Sequence, residues 1–361
     1  MKPIAGNAVF FPAAAGYAIA VLPASVFSMG GQGALLPGLA SPLGHAHEML
    51  FGFALAVVAG NQLGPSSVRR LGVLFTLWAL ARATFLVAPQ SSTAVAANIA
   101  FAALLAARLA PRLLGAAKKL RNQALPLVLI AICAAGAAYP LAPLTALALA
   151  VLLFALLMLF MGGRIIAPAV AGQFYRQGAK LDARVQPRIE AGLIAAMTIA
   201  AVTAPFPRLS PLTAAATAAS GLLAGARLLR WRLWALRGRP DLLCLGAGYG
   251  WVALGLLVYG AALAASRGRT AALHLITVGG IGTLTLNVMA MTALLKARRD
   301  PSRARLPIWA SLFIAAATLA RASAGVGGSH PQALLDFAAL CWSGAFALLL
   351  EIGRASCRER V

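Results

Sequence analysis

Apolar residues run through this chain in stretches of roughly 16–22, separated by short segments where Lys, Arg, Gly and Pro collect. A helix needs about 20 residues to cross ~30 Å of hydrocarbon, so each stretch has the length of one membrane crossing. The strict alternation of a barrel strand is absent, and backbone groups in lipid must be satisfied within their own segment, which leaves helices. The pattern predicts an all-α polytopic membrane protein of about twelve transmembrane helices. They fall over 10–29, 46–63, 71–88, 94–110, 124–139, 144–162, 189–204, 211–228, 244–265, 272–295, 307–324 and 333–350.

Composition agrees with this reading. The 361 residues are 61% hydrophobic and 11% charged, too apolar for a soluble domain. The net charge of +23 is not spread as a coat for nucleic acid but sits in short blocks between the apolar runs. Those blocks are topology signals. With Lys2 cytoplasmic, its side of the membrane carries 23 Lys and Arg, whereas the opposite gaps carry only Arg208, Arg267 and Arg269. Both termini are therefore expected in the cytoplasm. The longest connection, 163–188, is expected as a cytoplasmic loop that divides one domain, 1–350, into six helices and six. No residue-level repeat between the two halves is apparent. The start, Met1-Lys2-Pro3, lacks a cleavage site after its apolar run, so the first span is expected to be retained. Cys133, Cys244, Cys341 and Cys357 lie far apart with no paired spacing, which argues against iron–sulfur, structural zinc and covalently attached haem. Residues 352–361, Ile352 to Val361, break from the style of the chain and resemble the translation of a sequencing adapter, so they are expected to be non-native.

Candidate chemistry centres on Gly44-His45-Ala46-His47-Glu48-Met49-Leu50-Phe51-Gly52, where two imidazoles and a carboxylate open an apolar span. Ionisable groups at such depth are expected to face protein, metal or water rather than lipid. In the predicted topology all four histidines lie on the outer side. His45 and His47 open the second span, His274 opens the tenth, and His330 precedes the twelfth. Arg82 and Arg321 fall in the outer halves of their spans, with Glu48, Asn98 and Asp336 nearby in depth. A plain structural account is available, in which Glu48 or Asp336 neutralises Arg82 or Arg321, and His330 is a solvated loop residue. Imidazole is also the commonest neutral metal ligand, so His45, His47 and His274 are candidate metal ligands. Positions i and i+2 on a helix point about 200° apart, so His45 and His47 share a centre only if His45 precedes the helix. Gly279 and Gly282, below His274, leave room for a flat macrocycle or for another helix; both readings stay open. Haem would bring anionic propionates, for which Arg82 or Arg321 is a suitable counter-charge. No P-loop, H-E-x-x-H motif or nucleophile elbow is present.

The run His45-Ala46-His47-Glu48-Met49-Leu50-Phe51-Gly52, followed by Val58-Ala59-Gly60, resembles the NnrS family. So do Gly162-Gly163-Arg164-Ile165-Ile166, Gly248-Tyr249-Gly250-Trp251, and Leu273-His274 with Thr277-Val278-Gly279, Gly282-Thr283 and Val288-Met289. The resemblance covers nearly the whole chain. It implies a bacterial inner-membrane protein holding b-type haem, with copper as a second metal, linked to nitric oxide and nitrosative stress. It also implies that His45, His47 and His274 ligate metal, and that Arg82, Arg321, Glu48, Gly279 and Gly282 line the cofactor, Glu48 orienting an imidazole. The sequence departs from the family at Asn61-Gln62-Leu63-Gly64-Pro65, at Gly246, Met291 and Lys296, where family members carry histidine or arginine, and at Asn98, where aspartate is common. Those departures imply a smaller set of metal ligands. The expected partners are the lipid bilayer and a small gaseous ligand such as nitric oxide, with no nucleic acid. A secondary transporter with a proton-coupled polar site in the outer half of the bundle is the alternative. Whether the protein is an enzyme is not written in these residues.

Overall fold

A computed structural model describes residues 3–32, 36–116, 120–327 and 330–358. Twelve helical segments follow one another: α1 (Asn7–Phe27), α2 (Pro42–Gln62), α3 (Val68–Val87), α4 (Ser92–Ala116), α5 (Leu120–Ala138), α6 (Pro143–Arg176), α7 (Pro187–Thr203), α8 (Ser210–Arg230), α9 (Pro240–Ala264), α10 (Arg269–Lys296), α11 (Leu306–Gly325) and α12 (Pro331–Arg358). Eleven of them are long and apolar enough to cross a membrane, and the apolar part of α5, Ala124–Ala138, is shorter. The only strand-like pairing among the described residues is an isolated bridge between Ile4 and Ser66. The protein is a multi-pass membrane protein, and its context is the lipid bilayer.

Local chemistry sets the helix starts. Ser41 accepts a hydrogen bond from Gly44 N at 3.1 Å ahead of α2, and proline stands at the first turn of α2, α6, α7, α9 and α12, where its missing N–H costs nothing. In α3 the buried positions are Leu71, Leu74, Trp78, Ala81, Arg82 and Phe85, while Val73, Leu80 and Val87 face outward at a spacing of seven. A helix apolar on its outward side as well is surrounded by lipid rather than water. Where α8 meets α9, small residues bring the backbones together. A Cβ on Gly221 would stand 2.4 Å from Leu257 N, and one on Gly260 would stand 2.6 Å from Ala214 O. Close approach of this kind replaces the hydrophobic drive that lipid cannot supply.

One boundary differs from expectation. α6 does not stop near 162 but runs 34 residues to Arg176, so Gly162-Gly163-Arg164 lies inside a helix and the loop expected over 163–188 shrinks to the residues between Arg176 and Pro187. A backbone that is already helical continues past the hydrocarbon, here even through Pro168, and hydropathy registers only the apolar part. The chain forms two compact units, Met1–Ala150 and Val151–Val361. The division falls within α6, not in the expected loop. The first unit has Phe10, Leu39, Phe53, Leu55, Phe101 and Leu105 at its centre; the second has Phe154, Trp231, Tyr249 and Phe346.

Three stretches of the described chain are wound as wide π-helix: Ser28–Gln32 after α1, Glu48–Ala54 inside α2 and Leu275–Gly282 inside α10. The two inside helices each begin at the residue after a candidate histidine, His47 and His274. π-turns are rare and concentrate at functional sites.

Candidate functional site

In the first unit the site is built on the start of α2. Ser41 and Pro42 fix the helix origin, so His45 lies inside the helix rather than before it. His45 and His47 therefore point to opposite sides, and the condition for a shared centre is not met. His47 is buried and its ring is enclosed by aromatic rings. Phe85 stacks on it with centroids 3.9 Å apart and planes 13° apart, Tyr139 is at 4.4 Å and Phe51 at 5.4 Å.

The next residue, Glu48, is fully buried and collects donors from three other helical positions. Arg82 Nη1 on α3 donates to Oε1 at 2.6 Å, His47 Nδ1 lies 2.8 Å from the same oxygen, and the Tyr17 hydroxyl on α1 donates to Oε2. Arg82 Nη2 donates to Asn98 Oδ1 on α4, and Asn98 Nδ2 donates to Ala94 O at 2.8 Å. With His47 neutral and its proton on Nδ1, the cluster carries one negative and one positive charge and no net charge. That balance is what makes burial of a carboxylate tolerable. Gly52 gives the guanidinium its place, since a Cβ there would stand 3.0 Å from both Arg82 Nη1 and the Tyr17 ring. The wide turn also leaves the Gly52 carbonyl open to Trp78 Nε1, which donates to it at 3.0 Å.

In the second unit His274 closes the short helix Arg269–His274 and is half-buried. Its Nδ1 donates to Thr270 O at 2.6 Å, so in the neutral ring the unprotonated nitrogen is Nε2, the form in which imidazole ligates a metal. The glycines below it are filled by neighbours. A Cβ on Gly279 would stand 2.9 Å from the Trp251 indole, and one on Gly282 would stand 2.7 Å from the Trp342 ring. Of the two readings left open for Gly279 and Gly282, helix packing is the one the structure bears, because side chains occupy the space a macrocycle would need. Arg321 is half-buried on α11, and no carboxylate or hydrogen-bond partner meets it among the described residues. Asp336 is exposed and accepts from Gln332 at 3.0 Å. His330 is exposed in a left-handed conformation, φ 68°, just before Pro331, as a solvated loop residue would be.

Sequence reasoning thus finds His47, Glu48, Arg82 and Asn98, which the structure brings together, and His45, which points away from them. His274 and Arg321 belong to the second unit. Tyr17 escapes it, because an isolated tyrosine in an apolar run carries no signal of its own. Arg227 is misplaced by it. Grouped in sequence with the loop charges, this arginine is buried on α8, with Nη1 donating to Leu159 O at 3.2 Å and its guanidinium carbon 5.5 Å from the Trp231 ring. The signal for it is the pair Gly162-Gly163. A Cβ on Gly163 would stand 2.2 Å from Arg227 Nη2, and one on Gly162 would stand 2.5 Å from the Tyr249 ring. Among the described residues no group of three or more His, Cys, Asp or Glu side chains is arranged to hold a metal ion.

An all-α, multi-pass bundle with a buried, charge-balanced cluster and paired π-helices defines an integral membrane protein with polar chemistry inside its helices. The family model described as NnrS protein matches residues 5–353, nearly the whole chain, and the protein belongs to the NnrS family. That match takes in Ile352 and Gly353, the first two residues of the stretch set apart as adapter-like. No curated protein matches the chain.

Proposed function

We propose that this protein binds b-type haem in the inner membrane of a bacterium and acts in the response to nitric oxide or nitrosative stress. The observation that carries the proposal is His274, whose ring is fixed by the Thr270 carbonyl in the ligating tautomer at the first residue before a π-helix. A haem needs only one or two imidazoles, which suits this donor set. Bound haem would supply an iron with a position open to a small gaseous ligand such as nitric oxide. His274 would hold that group from one side. His47 is suited to a different role. Enclosed by Phe85, Tyr139 and Phe51 and bonded to Glu48, it positions the cluster rather than reaching outward. Arg82 is likewise engaged by Glu48, so a propionate would find its counter-charge elsewhere.

The test is the visible spectrum and metal content of the native-length protein, purified in detergent from haem-producing cells. A Soret band that is lost in His274→Ala and kept in His47→Ala is expected. Protein without a Soret band, or a band indifferent to His274, overturns the proposal.

One observation favours a second reading. The chain Tyr17–Glu48–His47, with Arg82 beside it, is a set of ionisable groups linked inside the membrane, as in the proton path of a secondary transporter. Proton-coupled uptake into vesicles, abolished by Glu48→Gln in protein that holds no metal, would favour it.

A further inference from the structure

At the end of the first unit away from His47, the last residue of α2, the loop that follows it, the first turns of α3 and the far end of α4 enclose a cavity of about 150 Å³. Three guanidinium groups line it, Arg70 from α3 and Arg108 and Arg112 from α4. Gln62 and Ser66 add polar side chains, and buried leucines complete the lining. The loop wall is fixed to its surroundings. Ile4 and Ser66 exchange two backbone hydrogen bonds of 2.9 Å, Gly6 N donates to Leu63 O at 3.3 Å, and Ser67 Oγ accepts from Arg70 N at 3.4 Å. The isolated bridge between Ile4 and Ser66 thus holds one side of a cavity in place. Arg112 is seated as well. A Cβ on Gly64 would stand 2.1 Å from its Nη1 and 2.4 Å from its Nη2, so the guanidinium lies against backbone that glycine leaves open. Gln62 and Gly64 belong to Asn61–Pro65, the stretch where the sequence departs from the family pattern, so this wall is a property of this chain.

Three cations around one space repel one another. Arg108 and Arg112, four residues apart, share a face of α4, where like charges are unfavourable. Among the described residues no carboxylate lines the cavity. None is at hand within the unit either, because Glu48 is the sole acidic residue of the first 150 and Arg82 already engages it. Membrane topology asks only that arginines stand on one side of the bilayer, not that three of them converge on a cavity. An anion from outside the chain relieves the repulsion. Guanidinium forks match phosphate oxygens two at a time, and a basic pocket between helices at a cytoplasmic face suits an anionic headgroup. The Lys and Arg bias of the loops makes this the face expected in the cytoplasm.

We propose that Arg70, Arg108 and Arg112 bind a phosphate group in this cavity, carried by an anionic lipid headgroup or present as free phosphate. The site is independent of the haem reading. The purified full chain in detergent is titrated with phosphatidylglycerol, with phosphatidylcholine of the same acyl chains, and separately with inorganic phosphate against chloride at equal ionic strength, and its unfolding temperature is followed. A saturable rise is expected. A rise with phosphatidylglycerol alone assigns the site to a lipid headgroup, and a rise with inorganic phosphate as well shows that the phosphate group suffices. Arg108→Gln and Arg112→Gln are each expected to raise the half-saturating concentration about tenfold. Gly64→Ala changes no charge and displaces the Arg112 guanidinium, so it is expected to raise that concentration several-fold. Arg69→Gln removes the same charge outside the lining and is expected to leave it unchanged. Unfolding midpoints without added ligand establish that the variants are folded. No saturable rise with either phosphatidylglycerol or phosphate overturns the proposal. So does a rise that Arg108→Gln and Arg112→Gln leave intact, or one that Arg69→Gln weakens as much as they do, which would mark attraction to surface charge in general.

Discussion

Behind the π-helix of the first unit, the guanidinium of Arg82 meets a carboxylate supplied by the π-helix itself. Behind that of the second unit, Arg321 faces a helix that offers Leu275 at the corresponding place. Both scaffolds use a wide turn and a glycine to seat an aromatic ring and a side chain of the next helix. Only the first balances its charge within the chain. Burial therefore goes further there, to full burial of Glu48 and near-complete burial of Arg82, whereas Arg321 keeps contact with its surroundings. One frame thus holds a locked structural cluster where the acid is built in, and an arginine without a counter-charge where it is left out.

The comparison breaks first at Glu48. Glu48→Ala leaves Arg82 buried without a counter-charge and is expected to lower stability by about 3–5 kcal/mol, measured by unfolding in mixed detergent. Replacing Glu48 and Arg82 together with leucine is expected to cost far less, because no lone charge is left behind. A single loss no larger than the double would mean that the ion pair does not organise the unit. Next in size is Tyr17→Phe, which removes a hydroxyl donor from a buried carboxylate and is expected to cost about 1.5–3 kcal/mol in the same assay. Arg321→Gln sits at the other end. With no ion-pair partner to lose, it is expected to change stability by under about 1 kcal/mol. A loss as large as that at Glu48 would show Arg321 to be structural. Leu275→Glu sharpens the contrast by restoring the missing acid. In that background Arg321→Gln is expected to cost about 1 kcal/mol more than in wild type, in the same assay.

Much of this architecture is legible in the sequence, for a simple reason. A bilayer imposes one length and one polarity on every crossing, so the apolar runs locate most helices to within a few residues, and rare ionisable groups inside them mark Glu48 and Arg82 as groups that need partners, while leaving open whether Glu48 or Asp336 meets Arg82 or Arg321. The length of α6 is not legible, since hydropathy ends where the hydrocarbon ends and the helix does not. Nor is the likeness of α2 and α10, each wound as π-helix from the residue after its histidine. Comparing the chain as six helices against six sets α2 beside α8 and hides that match, although Leu80–Thr84 and Leu319–Ser323 in the helices that follow stand ready to be aligned.

The amino-acid sequence by itself determined that this is a multi-pass helical membrane protein, that it carries the NnrS motifs, and that its scarce polar residues gather at particular depths. Lipid leaves the backbone no other choice, and a charge in an apolar run cannot be hidden from a reader of residues. Tertiary structure alone decided which partner each polar group takes. His45 and His47, two residues apart, point to opposite sides; Tyr17, thirty-one residues from Glu48, completes its shell; and Gly279 and Gly282 receive indole rings. Hydrogen bonds and ion pairs act over about three ångströms in directions set by helix rotation and packing, and neither is written in the order of residues along the chain.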